Sequence, residues 1–372
     1  MLDIFSDFDE YIEVDYTYND NNVFRLHYKA TVIILLGFTV LLGCSQYFGD
    51  PINCIHGEDV PENVLETYCW IHSTFTLPDA YDKRVGIDVA HPGIDKHNPG
   101  ETKRYHAYYQ WVIFLLFFQA LLFYVPRYIW ETVDDEKIKN LCMDVGCGVL
   151  QQDDRAECRM ILVDYLKSHI GDHNVYLLIF TLLEMYNLLN VLGQLYIMDL
   201  LFGREFTSFG IDVLKFTNMD QENRTDPMIK VFPRMTKCTF HTFGFSGDVQ
   251  KHDALCILPI NVLNEKLYVF IWFWFVVLAA LSVGMLVFRF VTILWPAARS
   301  FVLMQKCDIL DKNDLQVVMK HIKVGDWFVL HLLTKNVDFF YFKEVIHDFA
   351  NELKEDAKLN RKGSLEDYKA LP

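Results

Sequence analysis

Four long apolar runs interrupt an otherwise polar chain, at residues 30–48, 108–130, 175–202 and 267–295. As helices rising 1.5 Å per residue, all four can cross about 30 Å of hydrocarbon. The pattern predicts four transmembrane helices rather than the soluble domains that 372 residues would otherwise suggest. The third run is broken by Glu184, Asn187, Asn190 and Gln194. At 100° per residue these fall within an arc of about 120°, a stripe that must turn away from lipid. Interhelical hydrogen bonding is the favoured reading of that stripe, with a polar lining as the other. Arg289, about a turn and a half from the end of the fourth run, can snorkel toward the interface. Pro126 is expected to bend the second helix near its end.

Residues 1–29 are polar and acidic and contain no cleavable signal, so the first span is expected to be retained. An even number of spans puts both termini on one side. Arg25, Lys29, Arg127, Arg289 and Arg299 flank what are then the inner ends, although Lys and Arg are otherwise only slightly denser there. The expected organisation is a cytosolic N-terminal segment (1–29), a first outer loop (49–107), an inner loop (131–174) and a second outer loop (203–266). A helical cytosolic domain (296–353) follows, since apolar periodicity returns at 317–319, 327–333 and 337–349. The charged stretch 354–372 is expected to lack order.

The nine cysteines sharpen this picture. Cys54 and Cys69 lie in the first outer loop, Cys238 and Cys256 in the second. Thiols paired only on one face of a membrane read as extracellular disulfides, with three pairings open to four cysteines. Cys142, Cys147 and Cys158 have spacings unlike zinc ligands, so no metal site is expected, and Cys44 reads as a packing residue. The outer-loop histidines read as structural.

Composition agrees with a polytopic membrane protein: 52% hydrophobic, 15% aromatic, mean hydropathy +0.13. The net charge of −15 argues against a nucleic-acid partner and against tight adhesion to anionic lipid. No Gly-rich phosphate loop, Gly-x-Ser-x-Gly elbow or His-Glu-x-x-His helix is present, so neither catalysis nor a cofactor is expected. Asp3, Asp7, Asp9, Glu10, Glu13 and Asp15 crowd the N-terminus with no Lys or Arg before Arg25. This segment is either a solvated tail or a ring of carboxylates at a pore mouth, with Asp3, Asp7 and Asp9 as candidate lining residues. Asn223-Arg224-Thr225 is a glycosylation sequon in the second outer loop.

Tyr108-Tyr109-Gln110-Trp111-Val112, which opens the second run, resembles the signature pentapeptide of innexins, the invertebrate gap-junction proteins. The likeness continues in order through Tyr68-Cys69-Trp70, His91-Pro92-Gly93, Phe232-Pro233-Arg234, Cys238-Thr239-Phe240, Asn264-Glu265-Lys266, Trp272-Phe273-Trp274-Phe275 and Gly325-Asp326-Trp327. It covers about 23–350 and looks most like insect members. The resemblance implies an all-α membrane protein of four transmembrane helices, two disulfide-stapled extracellular loops and a helical cytosolic domain, assembled as a ring-shaped oligomer, an octamer in similar proteins. It implies bridges Cys54–Cys256 and Cys69–Cys238, an N-terminal segment folded into a pore funnel, and docking of one hemichannel on another across the gap between cells. Partners would be like or related subunits and the lipid bilayer.

Three classes of function follow: a gap-junction channel or unpaired hemichannel at the plasma membrane, an adhesion or scaffold tetraspan without conductance, and a membrane enzyme. The loop signatures of tetraspanins and claudins are absent, and the enzyme has no catalytic cluster.

Overall fold

The computed structural model describes residues 17–55, 57, 60–98, 100–146, 152–217, 219, 226–307 and 310–369. The first helix among the described residues is α1 (Asn22–Phe48), which contains a π-helical turn at Leu26–Thr31. Strand β1 (Asn53–Ile55), helix α2 (Glu62–His72), and strands β2 (Thr74–Thr76) and β3 (Arg104–His106) follow. Next come α3 (Val112–Asp134), α4 (Lys137–Gly146), α5 (Gln152–Ser168), α6 (Asn174–Leu201), α7 (Phe206–Thr217) and α8 (Pro227–Val231). Strands β4 (Met235–Phe243) and β5 (Val249–Ile257) precede α9 (Pro259–Leu294), and α10 (Pro296–Lys306), α11 (Lys312–His321), α12 (Val324–Asn336) and α13 (Phe339–Lys369) complete the chain. Helices α1, α3, α6 and α9 are long and apolar enough to cross a membrane. Pro126 lies inside α3.

Helix α1 starts well before the apolar run at residue 30. The Asn21 side chain explains this, because its Oδ1 accepts from Phe24 N at 2.7 Å and caps the first turn. The polar stripe does not interrupt α6, since intrahelical bonding satisfies the backbone whatever the side chains are.

The described chain divides into two compact units. One comprises Leu26–Val125 and Leu188–Leu281. Its core joins Leu35 and Leu42 of α1, Leu116 and Phe123 of α3, Val191 and Met198 of α6, and Tyr268 and Phe275 of α9. Phe202, Phe206, Phe232 and Tyr268 form a ring cluster with centroids 4.9–5.9 Å apart. Helix α7 lies so close to α9 that a Cβ on Gly210 would sit 2.1 Å from the Trp272 ring, so only glycine fits. The same unit carries an antiparallel sheet of order β1-β5-β4-β2-β3.

The other unit is formed by the described residues up to Arg25, by Pro126–Asn187 and by those from Ser282 on. Here α5 lies along α13 through two sets of ion pairs. Arg159 meets Glu344 and, at 2.6 Å, Asp348; Lys167 meets Glu352 at 2.9 Å and Asp356 at 2.8 Å. Lys354 and His347 converge on Asp314 of α11 at 2.7 and 2.6 Å. These partners account for a difference from expectation: residues 354–369 continue α13 as helix. Lys354 and Asp356 are paired with charges distant in sequence, Asp314 and Lys167, which composition alone does not reveal.

The block Gly325-Asp326-Trp327 forms the start of α12. A Cβ on Gly325 would lie 2.2 Å from the His173 carbonyl carbon, so glycine is required for the approach. Asp326 accepts from Gly171 N and Lys323 N, each at 2.9 Å, and pairs with His173 Nδ1 at 2.9 Å. Burial alone would raise this carboxyl, but the bonds from His173 and the two backbone N–H groups hold it below the usual range.

Candidate functional site

Two arrangements concentrate the polar chemistry, one in each unit. The first is the sheet. Cys54 on β1 stands directly opposite Cys256 on β5, and the two are bonded. Cys69 on α2 is bonded to Cys238 on β4. The bridges thus fix an outer strand and a covering helix to one long hairpin, tying segments 202 and 169 residues apart. The sulfurs of Cys54, Cys69 and Cys256 lie within 4.8 Å of one another. As disulfides they offer no thiolate to a metal. The β4–β5 hairpin ends in a turn closed by Gly244 N donating to Asp248 O at 2.7 Å, and it displays Phe243, Phe245 and Val249 in the open.

The pentapeptide anchors this assembly. Tyr108–Gln110 forms a short 3₁₀ turn before α3. Gln110 Nε2 donates to the carbonyls of Trp70 and Ile71, Tyr109 OH to that of Cys69 at 3.5 Å, and Tyr108 OH to that of Val231 at 3.4 Å. The turn therefore satisfies the exposed carbonyls at the end of α2, which no intrahelical donor can reach. Val112 is buried, whereas Trp111 faces outward. Arg234 forks onto Glu265, with Nε to Oε2 at 2.9 Å and Nη2 to Oε1 at 2.8 Å. Of the histidines expected in the outer loops, His252 bonds Thr242 at 2.8 Å and His72 packs edge-on against Tyr68.

The second arrangement holds residues 18–21. Asn336 Nδ2 donates to Tyr18 O at 2.9 Å, and its Oδ1 accepts from Tyr18 N. Trp130 Nε1 donates to Asn19 O at 3.1 Å, and Lys335 Nζ to Asp20 O at 2.9 Å. Asn19 reaches Asp134 at 2.8 Å, which also accepts from Tyr176 OH at 2.6 Å. Asp20 pairs with Arg25 at 2.6 Å, and Asn21 Nδ2 donates to Glu184 Oε1 at 2.7 Å. Glu184 in turn holds Arg289 by two bonds of 2.8 and 2.9 Å. Arg289 therefore does not snorkel: it is buried, its guanidinium also facing the Phe328 and Phe180 rings. Elsewhere on the stripe Gln194 donates to Asn190 at 3.2 Å, and Asn187 is buried.

The remaining candidates fall differently. Asp3, Asp7, Asp9, Asn223 and Cys147 lie outside the described residues. Cys142 is buried, its thiol pushed up to about 12 by burial and by nearby Asp134, which makes it inert.

The innexin family model matches residues 20–353. The chain belongs to the innexin family. It is 46% identical to "Innexin inx2" of Schistocerca americana over 95% of this chain and 99% of that protein. Against "Innexin inx2" of Drosophila melanogaster it is 45% identical, covering 96% and 97%, and against "Innexin shaking-B" of the same fly 43%, covering 95% of each. Innexins are invertebrate gap-junction proteins, multi-pass in the membrane, and are channel proteins rather than enzymes. The matched span takes in both arrangements, the stapled sheet and the Glu184–Arg289 clamp. Neither the strands nor the clamp was predicted from the sequence. Strands β1, β2 and β3 are three residues long and carry too little alternation to read, and Glu184–Arg289 joins groups 105 positions apart.

Proposed function

We propose that this innexin is a subunit of a gap-junction channel that passes ions and small metabolites between adjacent cells. The observation that carries this reading is the rigid, doubly stapled sheet whose hairpin apex exposes Phe243, Phe245 and Val249. Exposed apolar residues on a stiff support suit contact with another protein, because little conformational freedom is lost on association. Subunits ring a central pore as an octamer, and two rings dock through the stapled loops; an undocked ring acts as a hemichannel.

The accompanying topology has residues 1–29 and 296–372 in the cytosol, loops 49–107 and 203–266 outside, and 131–174 inside. Paired-cell recording tests the reading. Junctional current in pairs expressing the chain, and its loss with Phe245→Ser at unchanged surface expression, is the expected result. Adhesion without current or dye transfer would assign the chain to the scaffold class instead.

Residues 18–21, clamped by α3, α6 and α12, give the acidic segment before them a fixed point of departure. Asp3, Asp7 and Asp9 repeated around the ring then form the mouth of the cytosolic pore. Asn223 is a candidate glycan acceptor on the second outer loop, and with it unoccupied ordinary docking stands. A gel shift after N-glycosidase treatment that Asn223→Gln abolishes is the expected result, and no shift in the wild type removes the assignment.

A further inference from the structure

Beside the clamp is a cleft of about 570 Å³, lined by Tyr18, Asn22, Met285, Lys306, His331 and Lys335 among others. Its volume is in the range of small-ligand sites. Its charge is unbalanced. The nearby carboxylates are engaged by guanidinium groups, Asp20 by Arg25 at 2.6 Å and Glu184 by Arg289 at 2.8 Å. Lys335 donates to a backbone carbonyl, that of Asp20, and among the described residues neither it nor Lys306 forms an ion pair. Two ammonium groups thus line one cleft of a chain whose net charge is −15.

A second observation is independent of charge. His331 is 9% exposed, and its Nδ1 is buried with no hydrogen-bond partner among the described residues. Its ring stacks on Trp327 at 5.4 Å, which fixes its plane. An unpaired buried nitrogen is costly, and a ligand oxygen would satisfy it once the side chains that close it off give way. The neighbouring potential agrees. Burial first, then Arg289, Lys306 and Arg25, push Lys335 down to about 8 against the opposing pull of Asp20. Burial and the cations Lys335, Arg289 and Lys306 push His331 down to about 3. An anion in the cleft would relieve both.

We propose that this cleft binds a phosphomonoester group, held by the ammonium groups of Lys306 and Lys335 and the imidazole of His331. Lysines act as point charges toward phosphate, and the imidazole adds a directional bond. Two sources share that chemistry: the headgroup of a phosphorylated membrane lipid and a free phosphorylated metabolite. Met285, on the apolar helix α9, and Val23, on α1, give the cleft an apolar side that suits the lipid.

The test uses the purified full-length oligomer, with two probes in equilibrium binding: dioctanoyl phosphatidylinositol bisphosphate and inositol trisphosphate. Lys306→Gln and His331→Phe are each expected to weaken binding by about tenfold, the value of one charge-assisted contact. Lys320→Gln, an exposed lysine outside the cleft, should leave it unchanged. Binding of the lipid probe alone identifies a membrane headgroup, and binding of both identifies the phosphate group as sufficient. Melting temperatures of the variants establish that they fold. No binding of either probe, or binding that folded Lys306→Gln and His331→Phe proteins retain in full, overturns the proposal.

Discussion

Glu184 and Arg289 face one another as a two-bond fork, Nε to Oε2 at 2.8 Å and Nη2 to Oε1 at 2.9 Å, on two helices long enough to span a membrane. Both side chains are almost wholly buried. Asn21 adds a third bond to the same carboxylate, so the N-terminal clamp and the helix pair share one charge centre. Removing one partner strands the other without water. Glu184→Ala or Arg289→Ala is expected to cost about 3–5 kcal/mol, whereas Glu184→Leu with Arg289→Met should recover most of that loss. Thermal unfolding of the detergent-solubilised protein measures both. Single variants that melt with the wild type would show the pair to be energetically idle.

The bridges yield a second expectation. Cys69 is fully buried, and its replacement by Ser leaves Cys238 unpaired. A loss of about 2–5 kcal/mol is expected for the stapled loops. Membrane insertion should persist, because the four apolar helices do not depend on the bridge. Junctional current should vanish while surface biotinylation remains. Current at wild-type level would make the staple dispensable.

The Asp326 joint predicts a pH dependence. Its carboxyl is held below the ordinary value of 3.8 in the fold. A depressed carboxyl contributes stability that is fully present above the unfolded value and is lost as pH falls through the folded one. The melting temperature of Asp326→Asn should therefore lie below that of the wild type at about pH 7 and approach it below about pH 4. A gap that stays constant with pH would assign the effect to shape rather than charge.

The acidic N-terminus predicts selectivity. Rings of carboxylates at a pore mouth favour cations. Neutralising Asp3, Asp7 and Asp9 together should lower the cation-to-anion permeability ratio, most visibly at low salt where screening is weak. Unchanged reversal potentials would put these charges outside the conduction path.

The four long helices are legible in the sequence because lipid forces the same answer locally at every residue. Their ends are less so: α1 begins at Asn22 because one asparagine caps it, a signal only a few residues wide. Arg289 is misread for a different reason. Snorkelling and burial differ only in whether a partner exists, and Glu184 is far away in the chain. The sheet escapes because β1, β2 and β3 are only three residues long and pair with strands distant in the chain, so their alternation carries no readable signal. The block Gly325-Asp326-Trp327 is recognisable as a motif, yet its reason, a backbone contact with His173, appears only in three dimensions.

The spacing of the two bridges also constrains how the protein can be made. Cys54 must wait for a partner 202 residues later and Cys69 for one 169 residues later. In the proposed topology, at roughly 5–20 residues per second, the thiols of the first loop emerge into an oxidising lumen about 10–40 s before Cys256 arrives. During that time the nearest available thiol for each is the other, and in the finished fold their sulfurs lie within 4.8 Å. A premature Cys54–Cys69 link is thus the natural kinetic trap of biosynthesis. Export of this chain should accordingly depend on a disulfide isomerase that reopens that link after the last helix leaves the ribosome.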